Sequence, residues 1–131
     1  MATGRDRGFT LIEIMVAISV ILILLGVALP IYSHALTRQR EENLRRNLET
    51  LNQMIFQYTL DKQKPPQSLD DLKSAKYLEE IPKDITDRED TWATEPADAI
   101  FSLEQKETDG IIGVHSGSDK MGSNGKAYST W

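Results

Sequence analysis

Two stretches with different hydrophobic patterns follow each other in the first half of the chain. Between Ile14 and Thr37 there is no Asp, Glu, Lys or Arg, and most positions are aliphatic. The hydrocarbon core of a bilayer is about 30 Å thick and requires about 20 apolar helical residues, so this stretch is long enough to cross it. The pattern therefore predicts a transmembrane helical segment, which we place at residues 9–36.

The second stretch, residues 37–64, is predicted to continue the same helix with an amphipathic pattern. Apolar side chains recur at intervals of three and four residues, which places them on one helical face. These positions are Leu44, Leu48, Leu51, Ile55 and Tyr58, with Met54 and Leu60 widening the stripe. The opposite face carries Arg45, Arg46, Glu49, Asn52 and Gln53. Pro65 and Pro66 end the helix, because proline lacks an amide hydrogen and disfavours helix in the residue before it.

The remaining residues, 65–131, predict a small antiparallel sheet packed against the amphipathic stripe. Ser68 followed by Asp71 is typical of a helix N-terminus and predicts a short helix over Leu69–Lys76. The best strand signals are Ala99–Leu103 and Gly110–His115, with a turn-like segment between them. The expected fold class is α+β, with one long N-terminal helix packed by a small antiparallel sheet.

A carboxylate stands at the start of the apolar stretch. Glu13 is costly at the edge of a membrane helix unless a cation pairs with it, so it is a candidate functional residue. If the chain were cut after Gly8, the new ammonium group of Phe9 would lie one helical turn from Glu13. Further along, Pro30 removes a helical hydrogen bond and favours a kink.

These residues resemble the prepilin signature of the type IV pilin and pseudopilin superfamily, in which glycine precedes the cut, phenylalanine follows it and glutamate is the fifth mature residue. The resemblance implies that Met1–Gly8 is a leader removed by prepilin peptidase, which then N-methylates Phe9. It also implies assembly roles for Phe9, Glu13 and Pro30, the last as a place where the helix locally melts during packing. For Pro30, the alternative is a proline that the membrane helix merely tolerates. For the signature as a whole, the alternative is a plain single-pass membrane anchor whose glutamate has no partner.

The charges that flank the apolar stretch conflict with this resemblance. Arginines near the span are more numerous on its C-terminal side, at Arg38, Arg40, Arg45 and Arg46, than on its N-terminal side, at Arg5 and Arg7. The positive-inside rule would then keep the C-terminal part in the cytoplasm. The prepilin signature implies the opposite topology. We give it more weight because its motif is specific and because Glu41, Glu42 and Glu49 are interspersed among the four arginines. The expected location is the bacterial inner membrane, crossed once, with a periplasmic C-terminal domain.

Segments later in the chain make the resemblance more specific, from the superfamily to one group within it. Residues 65–72 and 77–84, the run 116–119 and Trp131 resemble the major pseudopilins of type II secretion systems, whereas residues 85–95 depart from them. The resemblance implies a structural subunit of a periplasmic pseudopilus that drives protein export. It implies as partners further copies of the chain in a helical filament, minor pseudopilins, the inner-membrane assembly platform, prepilin peptidase and membrane lipid. The alternative is a major or minor type IV pilin for adhesion, motility or DNA uptake.

The loop at residues 116–126 is the candidate metal site. The side chains of Asp119 and Asn124 and the carbonyl groups of Ser116 and Ser118 offer the oxygen atoms that calcium prefers. The resemblance implies a structural calcium ion in this loop, although Ser123 and Asn124 stand where the family has further aspartates. A solvated turn without metal is the alternative.

Charge, cysteine content and the placement of the histidines argue against two other function classes, nucleic-acid binding and catalysis. The formal net charge is −5, which argues against nucleic acid as a partner, because phosphate binding requires clustered Lys and Arg. The chain has no cysteine, and neither histidine stands in a recognisable catalytic pattern. The sequence therefore predicts a protein that is not an enzyme and has no catalytic residue. Its predicted parts are a leader (1–8), a transmembrane half-helix (9–36), an amphipathic half-helix (37–64) and a small α+β part (65–131).

Overall fold

The computed structural model describes residues 8–97 and 110–131. Its elements are helix α1 (Leu11–Lys62), helix α2 (Leu69–Ser74), strand β1 (Ala93–Pro96), strand β2 (Ile111–His115) and a 3₁₀ turn (Tyr128–Thr130). The pilin-like α+β fold class expected from the sequence is confirmed. The chain divides into two compact units, Met1–Leu36 and Thr37–Trp131, and each is described by itself.

The first unit contains the apolar part of α1. Among the described residues, α1 is the one helix long and apolar enough to cross a membrane, with an 18-residue window of mean hydropathy 2.9. Every described side chain of this unit is exposed, whichever side of the helix it lies on. A helix that is apolar all round requires an apolar environment from lipid or from other helices.

The second unit is built on the amphipathic part of α1. The predicted stripe is buried at Leu44, Leu48, Leu51 and Ile55, and it forms the core together with Leu72, Trp92, Ile111, Val114 and Tyr128. One assignment on this helix was wrong, because Leu60 was expected in the stripe but is 50% exposed. Asn52 is exposed, as expected for the opposite face, and its Oδ1 also accepts a hydrogen bond of 3.0 Å from the backbone N–H of Val114.

Helix α2 begins where the sequence predicted and ends earlier. The backbone N–H groups of Gln67 and Ser68 donate to Asp71 Oδ2 at 2.8 and 3.2 Å, which satisfies donors at the helix N-terminus. The helix was expected to reach Lys76 but ends at Ser74. Lys76 has a φ of 62°, a left-handed conformation that commonly terminates a helix.

Strands β1 and β2 form an antiparallel pair, in which Ala93 lies opposite His115 and Glu95 opposite Gly113. The strand expected at Gly110–His115 is confirmed as β2, with its first residue one position later. Strand β1 was not predicted from the sequence. The other expected strand, Ala99–Leu103, lies outside the described residues.

Candidate assembly site and C-terminal loop

Gly8, Phe9 and Glu13 lie at the start of α1. Gly8, Phe9 and Thr10 have no regular structure, and Phe9 is 78% exposed. Thr10 caps the helix, because its Oγ1 accepts a hydrogen bond of 3.2 Å from the backbone N–H of Glu13. The cap engages the backbone of Glu13 and leaves its carboxylate exposed at the first turn.

The Glu13 carboxylate has no hydrogen bond or ion pair with any residue in 8–97 or 110–131. The N-terminal end of a helix carries a partial positive charge, which favours a carboxylate at this position. That interaction is small compared with the cost of placing a charged group in hydrocarbon. A cation supplied from elsewhere would remove most of this cost, which is what the predicted Phe9 ammonium can do chemically.

Pro30 lies inside α1, within its apolar part. The carbonyl oxygen of Pro30 accepts a hydrogen bond of 2.9 Å from Ser33 Oγ. Helix assignment is continuous through this position. The assembly role of Pro30 stays a prediction, as do the roles of Gly8, Phe9 and Glu13.

Sequence reasoning missed Glu41 of α1, whose side chain is only 6% exposed. Its Oε1 accepts hydrogen bonds from the Ser123 backbone N–H at 2.7 Å and from the Tyr128 hydroxyl at 2.9 Å. The Ser123 hydroxyl donates to Oε2. Glu41 lies three residues before Leu44, so it extends the three-and-four spacing of the buried stripe by one polar position. That placement is the signal that could have revealed it.

The charge of Glu41 is stabilised by its surroundings. Burial raises the pKa of this carboxyl group, but the hydrogen bonds from Ser123 and Tyr128 and the nearby positive charge of Arg45 outweigh burial and hold the pKa below its ordinary value. Glu41 is therefore ionised at neutral pH, and its three donors bind a full negative charge. Hydrogen bonds of this kind are stronger than those between neutral groups.

A second buried carboxylate, Asp84, is 3% exposed and holds the start of the C-terminal loop. Its Oδ1 accepts hydrogen bonds from Ser116 Oγ at 2.6 Å and from the Ile85 N–H at 2.7 Å. Its Oδ2 accepts from Thr91 Oγ1 at 2.9 Å and from the Gly117 N–H at 3.1 Å. Gly117 lies so close to Thr91 that an added Cβ would come within 1.9 Å of the Thr91 carbonyl oxygen.

The residues predicted to bind calcium are only partly brought together. Ser116 and Ser118 are buried neighbours, and Ser116 Oγ accepts a hydrogen bond of 3.2 Å from the Ser118 N–H. Asp119 is exposed. Asn124 belongs to a separate turn, where its Oδ1 accepts from the Lys126 N–H at 3.0 Å.

The carboxylates buried beside this loop are not free to bind a calcium ion. The nearby buried carboxylates, Glu41 and Asp84, already accept hydrogen bonds on both of their oxygen atoms. No group of three or more His, Cys, Asp or Glu that could hold a metal occurs in the described part of the chain. Calcium binding at Ser116, Ser118, Asp119 and Asn124 stays a prediction.

Comparison with known proteins identifies the N-terminal segment. Residues 3–29 match the model of the prokaryotic N-terminal methylation motif. No curated protein and no solved structure matches the chain. The motif covers Gly8, Phe9, Glu13 and most of the apolar stretch, and it is typical of type IV pilin-like proteins, which are structural subunits. The chain thus carries the processing and assembly signal of prepilin-type proteins, and its apolar helix is consistent with membrane anchoring.

Proposed function

We propose that this protein is a structural subunit of the type II secretion pseudopilus, processed by prepilin peptidase and polymerised from the inner membrane to drive protein export. The observation that carries the proposal is the methylation motif at residues 3–29, followed by an apolar helix that continues into a small α+β domain. The domain lies in the periplasm, and the filament grows there from copies of the chain.

Assembly rests on a charge pair between subunits. Cleavage after Gly8 gives Phe9 a free ammonium group, and the Glu13 carboxylate has no partner among the described residues. Both charges are costly in hydrocarbon, so a pair between the Phe9 ammonium of one copy and the Glu13 carboxylate of its neighbour lowers the cost of both. The pair also fixes the axial position at which a new subunit joins.

The apolar part of α1 supplies the surface for packing. Before assembly its exposed side chains are covered by lipid, and in the filament they are covered by the same segment of other copies. Minor pseudopilins and the assembly platform of the inner membrane are the further partners of this surface.

Sequence features outside the motif support a secretion pseudopilus over a type IV pilin. Residues 65–84 and 116–131 resemble the major pseudopilins, and the chain has no cysteine that could close a pilin-type disulfide loop. Deleting the gene tests the choice. A pseudopilin mutant retains exported proteins in the periplasm and keeps its motility, whereas loss of surface fibres, motility or DNA uptake with normal secretion would identify a type IV pilin.

Processing is tested by mass spectrometry of protein from the membrane fraction. Wild-type protein is expected to begin at Phe9 and to carry one added methyl group. Gly8→Val should keep the leader, because the peptidase requires a small side chain at the cleavage site. Gly26→Val is the matched control, since neither glycine has a neighbouring atom within 4 Å that an added Cβ would meet. Mature filaments that begin at Met1 or Ala2 would contradict the proposal.

A further inference from the structure

The loop at residues 116–126 is held at two buried carboxylates, and at each of them it contributes hydrogen-bond donors rather than acceptors. At one point the Ser123 N–H and the Ser123 hydroxyl converge on Glu41, together with the hydroxyl of Tyr128, which follows the loop. At the other, the Ser116 hydroxyl and the Gly117 N–H converge on Asp84. Converging N–H and O–H groups present the positive ends of their dipoles, and they therefore bind an anion.

We propose that Glu41 and Asp84 organise this loop in place of a metal ion, so that the domain reaches its full stability without calcium. A calcium site requires six to eight oxygen ligands, several of them charged. Here the charged oxygen atoms belong to α1 and to the segment after Pro82, and each one is held by donors of the protein itself. The inference does not rest on the proposed function, because it concerns the folding of one subunit whichever filament that subunit builds.

The Glu41 contact joins distant parts of the chain. Ser123 and Tyr128 lie 82 and 87 residues after Glu41, so their hydrogen bonds fasten the C-terminal segment directly to α1. The next turn of the helix strengthens this attachment. The Arg45 guanidinium lies over the Trp131 ring at 4.7 Å from its centroid, and the Trp131 ring packs edge-on against Tyr128 with centroids 5.2 Å apart.

The Asp84 contact fixes the other end of the loop. Asp84 also accepts from Thr91 Oγ1 and the Ile85 N–H, so one carboxylate holds the 84–91 segment and the loop together. The close approach of Gly117 to the Thr91 carbonyl is possible because Gly117 has no side chain. The loop is thus held at two separate carboxylates, whereas a bound calcium ion would hold it at one positive centre.

The test uses the full-length protein in detergent and follows thermal unfolding by tryptophan fluorescence, in calcium and in excess EGTA. Both tryptophans, Trp92 and Trp131, lie in the second unit, so the signal reports on the domain that contains the loop. Wild-type protein is expected to have the same Tm in both solutions. Glu41→Gln should lower Tm by roughly 5 °C or more, equally in both, because the amide group offers donors where acceptors are needed.

Glu42→Gln is the matched control, since Glu42 is the exposed neighbour of Glu41 on the same helix and its change should leave Tm unaltered. Tyr128→Phe removes one donor while keeping the ring, and it carries the test if Glu41→Gln does not fold. Asp119→Ala should have no effect in either solution. A wild-type Tm several degrees higher in calcium, abolished by Asp119→Ala, would overturn the inference. A Glu41→Gln loss no larger than that of Glu42→Gln would overturn it as well.

Discussion

Leu22 and Leu51 belong to the same helix, yet Leu22 is 63% exposed and Leu51 is fully buried. The difference follows from what each unit contains. The second unit covers its part of α1 with α2, the strands and the C-terminal segment, whereas the described residues of the first unit contain only the helix itself. One unit therefore completes its core within a single chain, and the other requires lipid or further copies of the chain.

The same contrast applies to two carboxylates of α1. Glu41 is buried and accepts hydrogen bonds from Ser123 and Tyr128, whereas the Glu13 carboxylate is exposed and has no partner among the described residues. A carboxylate that is satisfied within the subunit stabilises the fold. One that is left open at the edge of an apolar helix is available for contact with another subunit.

The largest expected effect comes from removing the Glu13 carboxylate, which has no partner among the described residues. Glu13→Gln should abolish filament assembly, because the Phe9 ammonium of a neighbour would lose its counter-charge in the membrane. Leader cleavage and the Tm of the second unit should be unchanged. The yield of sheared filaments measures assembly, mass spectrometry measures leader cleavage, and tryptophan fluorescence measures the Tm of the second unit. Glu13→Lys should abolish assembly as well, since it places like charges together in a low dielectric.

Glu42→Gln serves as the control for this assembly experiment too, and it should build filaments normally. If Glu13→Gln protein assembled as well as this control, the Phe9–Glu13 pair would have no part in assembly. The comparison between the two carboxylates of α1 would then lose its functional meaning.

The two leucines provide the next largest effect. Leu51→Ala should destabilise the second unit by about 2–5 kcal/mol, because it leaves a cavity in a packed core. Leu22→Ala should leave the tryptophan-detected Tm unchanged, since the described residues of its unit leave its side chain exposed. Thermal unfolding of both variants in the same detergent measures the difference. Equal losses of Tm would show that the first unit also supports the core.

The smallest expected effect is the pH dependence contributed by Glu41. Its pKa in the folded state is lowered, so its contribution to stability is full above the unfolded pKa of about 4.3 and is lost as pH falls through the folded pKa. The groups that set this shift are Ser123, Tyr128 and Arg45. Wild-type Tm should therefore fall more steeply below about pH 4.3 than the Tm of Glu41→Gln. Parallel curves would show that Glu41 does not titrate with unfolding.

Local sequence patterns predicted the features of the fold that depend on residues close together in the sequence. The three-and-four spacing from Leu44 to Ile55 located the buried face of α1, and the Ser68–Asp71 pair located the start of α2. Strand β1 was missed because the run from Ala93 to Pro96 is mostly exposed and has no alternating apolar pattern. It is a strand because β2 pairs with it, and that pairing joins residues about twenty positions apart in sequence.

The remaining errors have two causes. Leu60 does not keep the spacing of three and four residues: counted from Leu44 at 3.6 residues per turn it lies on roughly the opposite side of α1, and it is 50% exposed. Glu41 and Asp84 look like ordinary solvated acids in the sequence, since their donors are supplied by residues 116–128. The local pattern could have placed Glu41 on the buried face of α1, but it cannot identify the partners of either acid, because the folded domain alone brings them near. The candidate residues at the N-terminus were easier to find, since their signature is contiguous.

The contact between Tyr128 and Glu41 has a topological consequence. It brings the last segment of the second unit beside the first buried turn of that unit, so the two ends of the domain lie next to each other. Such a domain is suited to circular permutation, with a short linker joining Trp131 to Thr37 and a new opening in the exposed stretch at Gln63–Lys64. A fluorescent label placed at Trp131 would likewise report from beside Arg45 of α1, whose guanidinium lies over the Trp131 ring, and not from the opposite end of the domain.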